Sequence, residues 1–376
     1  MSSTWRRQAA GEPRRGAARG AHPRHRSPGA LTVAALGVAA LGTAALGTAA
    51  LGASGLGAGA SAPARVSHAT SPVPQTAPGT ADVAYAGSLE YLEEKVVGPA
   101  FVHTTGIAYE GRGAGSKALA AEIASGEIAP NVFESVGGAP IATLEPRFTR
   151  WYVQFAASPL VVAYNPSSPY APALEAIAAR RRPLADLFHV MAEPGFTLGR
   201  TDPNIDPQGA AFVEMVELAQ RALHLPASTV HAILGPGPLG SSSSSEIFDE
   251  TALEPRLEAG QLDAASAFLS QAVQLHLHYV RLPPEIDLGD PADARAYARA
   301  RLRLADGTTV HGEPLVLDVT TIGRRDLAAA AAFVAYTLSP RGLAAYRRGG
   351  YTVLRPQLTG DRGLVPAAVE AEIPAR

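Results

Sequence analysis

Apolar residues recur along this chain in short β-type runs, each closed by a glycine or proline cluster and followed by a stretch of helical spacing. Residues 195–209, Gly-Phe-Thr-Leu-Gly-Arg-Thr-Asp-Pro-Asn-Ile-Asp-Pro-Gln-Gly, state the pattern most clearly. The apolar run ends in a turn cluster, and Asp206-Pro207 then reads as an N-cap followed by proline at the first helical position, where its missing N–H has no partner to lose. The spacing predicts a helix from Gln208, with Phe212, Val216, Ala219 and Leu223 along its buried face. A strand, a turn and a helix whose free N–H groups face the turn form an arrangement that suits an anion. Asp206 acting only as a cap is the plainer reading of this stretch alone.

The same construction opens the globular part. Val83-Ala-Tyr-Ala-Gly-Ser88 predicts a strand and turn, and residues 89–97 follow with helical spacing and early acids, placing Ser88 at a helix start. Residues 105–116 repeat it, with Gly111, Gly113 and Gly115 before Ser116 and a helical stretch over 117–123. A phosphate loop of the Walker type needs Gly-Lys-Ser/Thr in that order; here Ser116 precedes Lys117, so no nucleotide site is expected. A third strand is predicted over 131–135. Residues 151–155 and 160–164 are then two β-type runs without a helix between them, a break where the chain would cross from one lobe to another. Further strands are predicted at 266–270, 279–282 and 315–322. Asp326 is expected to cap the alanine-rich helix 327–337, and Ser339-Pro340 to start a last helix ended by Gly349-Gly350.

Composition changes the picture at the N-terminus. Residues 1–30 carry seven arginines against one glutamate, and residues 31–62 are an Ala/Leu/Gly tract, so residues 1–69 read as a secretory leader and 70–80 as a Pro/Ser/Thr-rich tether. An uncleaved leader acting as a membrane tether is the alternative, since the tract exceeds the ~18 apolar residues that suffice to span. The formal charge of −2 includes +6 from residues 1–64, which leaves −8 for the exported part. An acidic body argues against nucleic-acid binding and requires local dipoles to hold any anion. The chain has no cysteine, which excludes disulfides, thiolate chemistry and cysteine-ligated zinc.

Candidate chemistry is sparse. His276 and His278 read as a surface pair, because no third ligand is predictably near. Arg180-Arg181-Arg182 reads as a solvated helix end, and Gly235-Pro-Gly-Pro-Leu-Gly with Ser241–245 as a low-complexity loop. No Gly-x-Ser-x-Gly elbow occurs, and neither Ser88 nor Ser116 has an identifiable base, so a hydrolase is not expected.

Several phrases, in order, carry a family resemblance: Ala86-Gly-Ser-Leu89, Gly113-Ala-Gly-Ser116, Trp151-Tyr-Val-Gln-Phe-Ala156, Thr201-Asp-Pro-Asn-Ile-Asp-Pro-Gln-Gly209, Leu262-Asp-Ala-Ala265, Leu282-Pro-Pro-Glu-Ile-Asp-Leu-Gly-Asp-Pro291 and Gly349-Gly-Tyr-Thr-Val353. Together they resemble the secreted substrate-binding proteins of molybdate/tungstate ABC importers. The resemblance implies an α/β fold of the two-lobed periplasmic-binding-protein type (type II), each lobe a mostly parallel sheet flanked by helices. Lobe I would take residues 81–158 and 283–376, and lobe II residues 159–282. It implies a monomeric, exported, extracytoplasmic, non-enzymatic protein that delivers an inorganic oxyanion to an ABC permease and its ATPase subunit, with molybdate or tungstate as ligand and no cofactor.

The family's ligand contacts fall on Ser88 and Ser116, on Asp206 and on the backbone N–H of Gln208, with a further backbone contribution from the Glu250 to Ala252 turn. Hydroxyls and N–H groups suit a tetrahedral dianion, which only accepts hydrogen bonds. Asp206 suits it less, because a carboxylate repels a dianion. In some members that carboxylate joins the metal centre together with a glutamate. The glutamate's position is Ala267 here, followed by Phe268, so the missing second carboxylate favours a hydrogen-bonded, four-coordinate ion. Another oxyanion, sulfate or phosphate, and a non-transport sensing domain on the same fold are the competing readings.

Overall fold

A computed structural model describes residues 79–235, 245–323 and 325–375. The expected leader, the tether before residue 79 and most of the Ser-rich loop lie outside the described residues.

The chain starts with β1 (Thr80–Ala86), whose buried Ala81, Val83 and Tyr85 place it inside a sheet. A helical segment follows directly, through a 3-10 turn at Gly87–Leu89, an α turn at Glu90–Leu92, a π turn at Glu93–Val97 and an α-helix at Gly98–Thr105. It returns the chain so that β2 (Ala108–Ala114) pairs parallel with β1. The helix Ser116–Ser125 then carries the chain to β3 (Val132–Val136), parallel on the other side of β1. β4 (Trp151–Ala157) and β5 (Leu160–Tyr164) follow with only two residues between them, and they belong to different sheets. The chain therefore passes from one sheet to the other at this break.

The second sheet contains β5, β6 (Leu198–Thr201), β7 (Ser245–Phe248), β8 (Ala264–Phe268) and β9 (His278–Arg281) in the order β7-β6-β8-β5-β9. A small hairpin not anticipated from the sequence, β10 (Arg301–Arg303) with β11 (Thr309–His311), precedes the return. β12 (Val316–Thr321) then inserts antiparallel between β3 and β4, and β13 (Thr352–Gly360) closes the order β13-β4-β12-β3-β1-β2. Both sheets are thus mixed rather than mostly parallel. Helical crossovers make β1, β2 and β3 parallel, as they do β6 and β8, whereas β5 and β12 enter from the other lobe and run against their neighbours.

The two crossings lie side by side. Ser158 N–H donates to Leu315 O at 3.1 Å, and Leu160 N–H to Asp287 O at 2.8 Å. Asp263, from the Leu-Asp-Ala-Ala phrase, is structural: it accepts from the Ser168 hydroxyl at 2.6 Å and from the N–H and hydroxyl of Thr197 at 2.7 and 2.8 Å. The last helices are also as expected, Leu327–Leu338 and Pro340–Arg348, the second capped by the Ser339 hydroxyl, which accepts from Gly342 N–H at 3.2 Å. Asp326 does not cap by its side chain; its backbone is left-handed at φ 43° and its carboxylate packs toward Gly79.

Glu93 and Glu134 are fully buried on either side of the Tyr346 hydroxyl, which lies 2.7 Å from Glu93 Oε1 and 3.1 Å from Glu134 Oε2. Burial and mutual repulsion push Glu93 well above the usual carboxylate range, and burial pushes Glu134 to about 7. Both folded values exceed the unfolded one, so stability is fully present below 4.5 and is lost as pH rises through about 7. The midpoint of thermal unfolding should accordingly be higher at pH 5 than at pH 8, and Glu134→Gln should flatten the difference. A midpoint that climbs from pH 5 to pH 8 would contradict buried neutral carboxyls.

Candidate functional site

Ser88 and Ser116 reach the same place because of register. β1 and β2 are parallel with Ala86 opposite Ala114, so the residues two positions further on emerge together at one end of the first sheet. Both serines are buried, 4% and 0% exposed, at the starts of helical segments. Ser116 is the first residue of its helix and not the cap; Gly115 holds the cap position. Its Oγ accepts from Val136 N–H at 3.1 Å, which leaves its own hydrogen to donate. The Ser88 turn is held from outside by Tyr351, whose hydroxyl donates to Ser88 O at 3.4 Å. This gives the Gly-Gly-Tyr phrase its role.

The second lobe meets this end of the sheet with the turn between β6 and the helix Pro207–Ala222. That helix begins as the sequence predicts: Asp206 has an extended backbone, its Oδ1 accepts from Gln208 N–H at 2.9 Å, and Pro207 follows. Ala118 N–H donates to Ile205 O at 3.1 Å and the Lys117 ammonium to Pro203 O at 3.2 Å, which ties the Ser116 loop to the Asp206 turn. The approach is close enough that a Cβ on Gly115 would lie 2.8 Å from Ile205 O and 3.2 Å from Asp206 Cβ. Glycine there is a requirement of contact. It lets the Ser116 loop lie directly against the Asp206 turn.

Gln208 is placed differently from expectation. Its backbone N–H is engaged by the Asp206 cap, and its side-chain amide donates to Ser266 O at 2.8 Å. Its carboxamide oxygen is buried without a partner among the described residues. The same holds for Asp206 Oδ2. Burial pushes Asp206 up to about 6, against the opposing effects of the Gln208 N–H, the Thr201 hydroxyl and Lys117.

The residue that sequence reasoning missed is Glu250. Ala267 lies in β8, in an apolar cluster with Leu253 and Leu257 of the helix Glu250–Glu258, and that packing fixes where the helix starts. Its first residue, Glu250, is 4% exposed and reaches across to the Ser88 turn; a Cβ on Gly87 would lie 2.7 Å from Glu250 Oε2. Oε2 has no close partner among the described residues, while hydrogen bonding of the carboxyl group by the hydroxyl and N–H of Ser88 offsets part of its burial cost. Burial, then Asp206 and Glu254, push its carboxyl well above the usual range. The expectation that Asp206 has no carboxylate neighbour is therefore corrected by the side chain of Glu250. No sequence motif marks Glu250, because it arrives by helix packing. Glu254, one turn on, is pushed to about 8 and borders a cavity of about 340 Å³ that opens beside Ser88.

His276 and His278 are exposed, and no cluster of three or more metal-ligating side chains occurs among the described residues. The site therefore offers hydroxyls, helix starts and carboxyl groups, a donor set suited to the oxygens of an anion once the carboxyls are neutral.

The model of the bacterial extracellular solute-binding proteins matches residues 81–352. The chain is similar to a Haloferax volcanii protein named as an ABC transporter molybdenum-binding protein, 35% identical over 180 residues, which cover 48% of this chain and 53% of that one. It is also similar to the molybdate/tungstate-binding protein WtpA of Thermococcus kodakarensis, 27% identical over 252 residues, 62% of this chain and 68% of that one. Among solved structures, the Azotobacter vinelandii periplasmic molybdate-binding protein aligns with a TM-score of 0.45 and 16% identity over 72% of this chain and 98% of its own. The chain spans only about half the length of the first of these relatives.

Replacing Asp206 separates its structural role from its charge. Asp206→Ala removes the cap and should cost about 1 kcal/mol of stability, whereas Asp206→Asn caps almost as well and should cost a few tenths. Equal losses for the two in chemical denaturation would show that the cap bond is immaterial.

Proposed function

The chain belongs to the bacterial extracellular solute-binding protein family, and from that premise we propose that it captures a tetrahedral oxyanion, molybdate or tungstate, between its two lobes. It is a binding protein of an ABC transporter, extracytoplasmic and not an enzyme. The observation that carries the finer reading is the convergence of two buried hydroxyls at helix starts, Ser88 and Ser116, on the Asp206 turn of the opposite lobe. Relatives named for molybdenum or for molybdate and tungstate support the choice of ion.

The mechanism is one of preorganised donors. Helix starts supply positive potential without a mobile cation, and each serine adds a hydrogen bond to an oxygen that only accepts. A cage set by two backbone turns has one preferred ion radius, so molybdate and tungstate are distinguished from the smaller sulfate. The side-by-side crossings near Ala157 and Val316 serve as the hinge, because there the chain passes between the two sheets. The ion is then delivered to a permease and its ATPase subunit.

Calorimetric titration of the mature protein should show molybdate and tungstate bound far more tightly than sulfate or phosphate; equal affinity for sulfate would defeat the reading. Ser88→Ala and Ser116→Ala should each weaken binding by about 1.5–3 kcal/mol, the value of a hydrogen bond to a charged group, or roughly one to two orders of magnitude in affinity. Losses smaller than threefold in both would remove the serines from the site.

Saturating ligand should also contract the protein in solution scattering, as the lobes close about the crossings. Superimposable curves with and without molybdate would argue for a rigid cleft.

A further inference from the structure

Two acids face each other where an anion is to be held, and their surroundings are unequal. Asp206 lies at the start of a helix, accepts from Gln208 N–H at 2.9 Å and has the Lys117 ammonium among its neighbours. Glu250 faces Ser88 from the other lobe, Asp206 from the adjacent turn and Glu254 from its own helix; none of these is a cation. Beyond them, Asp202 faces Asp206, while Glu90 and Glu258 face Glu254. Bringing a dianion into this space with both carboxylates ionised would bury four negative charges against one partly buried ammonium. A low-dielectric cleft does not tolerate that.

We propose that Glu250 is a further ligand-binding residue of this cleft, a neutral carboxyl group that donates its hydrogen to an oxygen of the bound oxyanion opposite Ser88. The proposal rests on the oxyanion reading above. A protonated carboxyl is a donor, which converts the group that sequence logic would count as repulsive into a third hydroxyl beside the two serines. Its Oε2, buried and without a partner against Gly87, is the atom in position to do so when the lobes close. The unequal surroundings decide which acid carries the proton: Asp206 keeps its charge with Lys117 and the helix start, and Glu250 takes the hydrogen from solvent. Where the unliganded Glu250 is ionised, each ion captured therefore brings one proton with it; at lower pH the hydrogen is already in place. The charge entering the cleft falls from −2 to −1.

This identifies Glu250 as a specificity determinant as well as a contact. A neutral O–H rewards an acceptor oxygen and gives nothing to a ligand atom that itself carries hydrogen. The residue is also outside every phrase that carries the family resemblance.

The test is calorimetric titration of the mature protein with molybdate between about pH 6 and 9, in buffers of different ionisation enthalpy, which counts protons taken up per ion. Proton uptake by wild-type protein should rise from little at pH 6 toward about one at pH 9, and its affinity should fall by up to about tenfold per pH unit over the alkaline part of that range. Glu250→Gln, which donates without titrating, should bind more weakly than wild type at pH 6 yet about tenfold more tightly at pH 9, with a flat profile. Glu250→Ala should lose at least about tenfold at pH 6. Should the alanine variant not fold, judged by its thermal transition, the proton count and the glutamine variant decide alone.

Binding with no proton uptake, or a wild-type profile as flat as that of Glu250→Gln, overturns the role of Glu250 while leaving the oxyanion reading intact. X-ray absorption showing six oxygen neighbours around bound tungsten overturns it too, because a carboxylate coordinated to the metal is ionised. Absence of binding to molybdate and tungstate at every pH overturns the oxyanion reading and this proposal together.

Discussion

The parallel pairing of β1 with β2 is the constraint on which the cleft depends. Two strands in this relation end at the same edge, and with Ala86 opposite Ala114 the turns that follow are held side by side at backbone precision. Serines two residues beyond those ends then converge whatever the rest of the chain does. The crossover helix that makes the pairing parallel also starts at one of the turns, so the same feature supplies both the geometry and the helix-terminal potential. The second lobe has only to bring one turn against this edge, and the Ala118 N–H to Ile205 O bond records how closely it does so.

Electrostatics in the cleft follow from that closeness. Three carboxyl groups, Asp206, Glu250 and Glu254, are carried inward by the two helices of the second lobe, and burial raises all three. The same bias toward neutral acids appears far from the cleft, at Glu93, Glu134 and Asp318. An acidic body that buries carboxyl groups in this number is most stable when they keep their protons. Stability consequently falls as pH rises through the range in which they titrate.

Most of the local structure was legible in the sequence. The cap at Asp206 and proline at the next position forecast the helix start to within one residue, because capping chemistry is decided over a few neighbouring atoms. The crossing at Ser158-Pro159 was legible for a similar reason, since two strand runs without a helix between them cannot both extend one parallel sheet. Less legible were features with longer reach. Mixed sheet direction depends on which strands the chain meets when it returns, and the β10–β11 hairpin, although Asp306-Gly307 is a strong turn signal, has strands of only three residues each, too short for a pattern of alternation to mark them. The N–H of Gln208 was read as free for a ligand, whereas its own cap takes it up.

By itself the sequence determined the alternation of elements, the helix starts and the serines at two of them. These follow from residues close in the chain, where spacing stands in for geometry. Only the tertiary structure decided that the Ser116 loop packs against the Asp206 turn, that Ser116 accepts from Val136 and that a second carboxyl group stands near Asp206. The position examined for that group, Ala267, holds a methyl that lets a helix pack against it, and the helix delivers Glu250 instead. The reason is physical: a side chain's place in a buried cleft is fixed by the contacts of the element that carries it, and those contacts are made with residues far away in the chain.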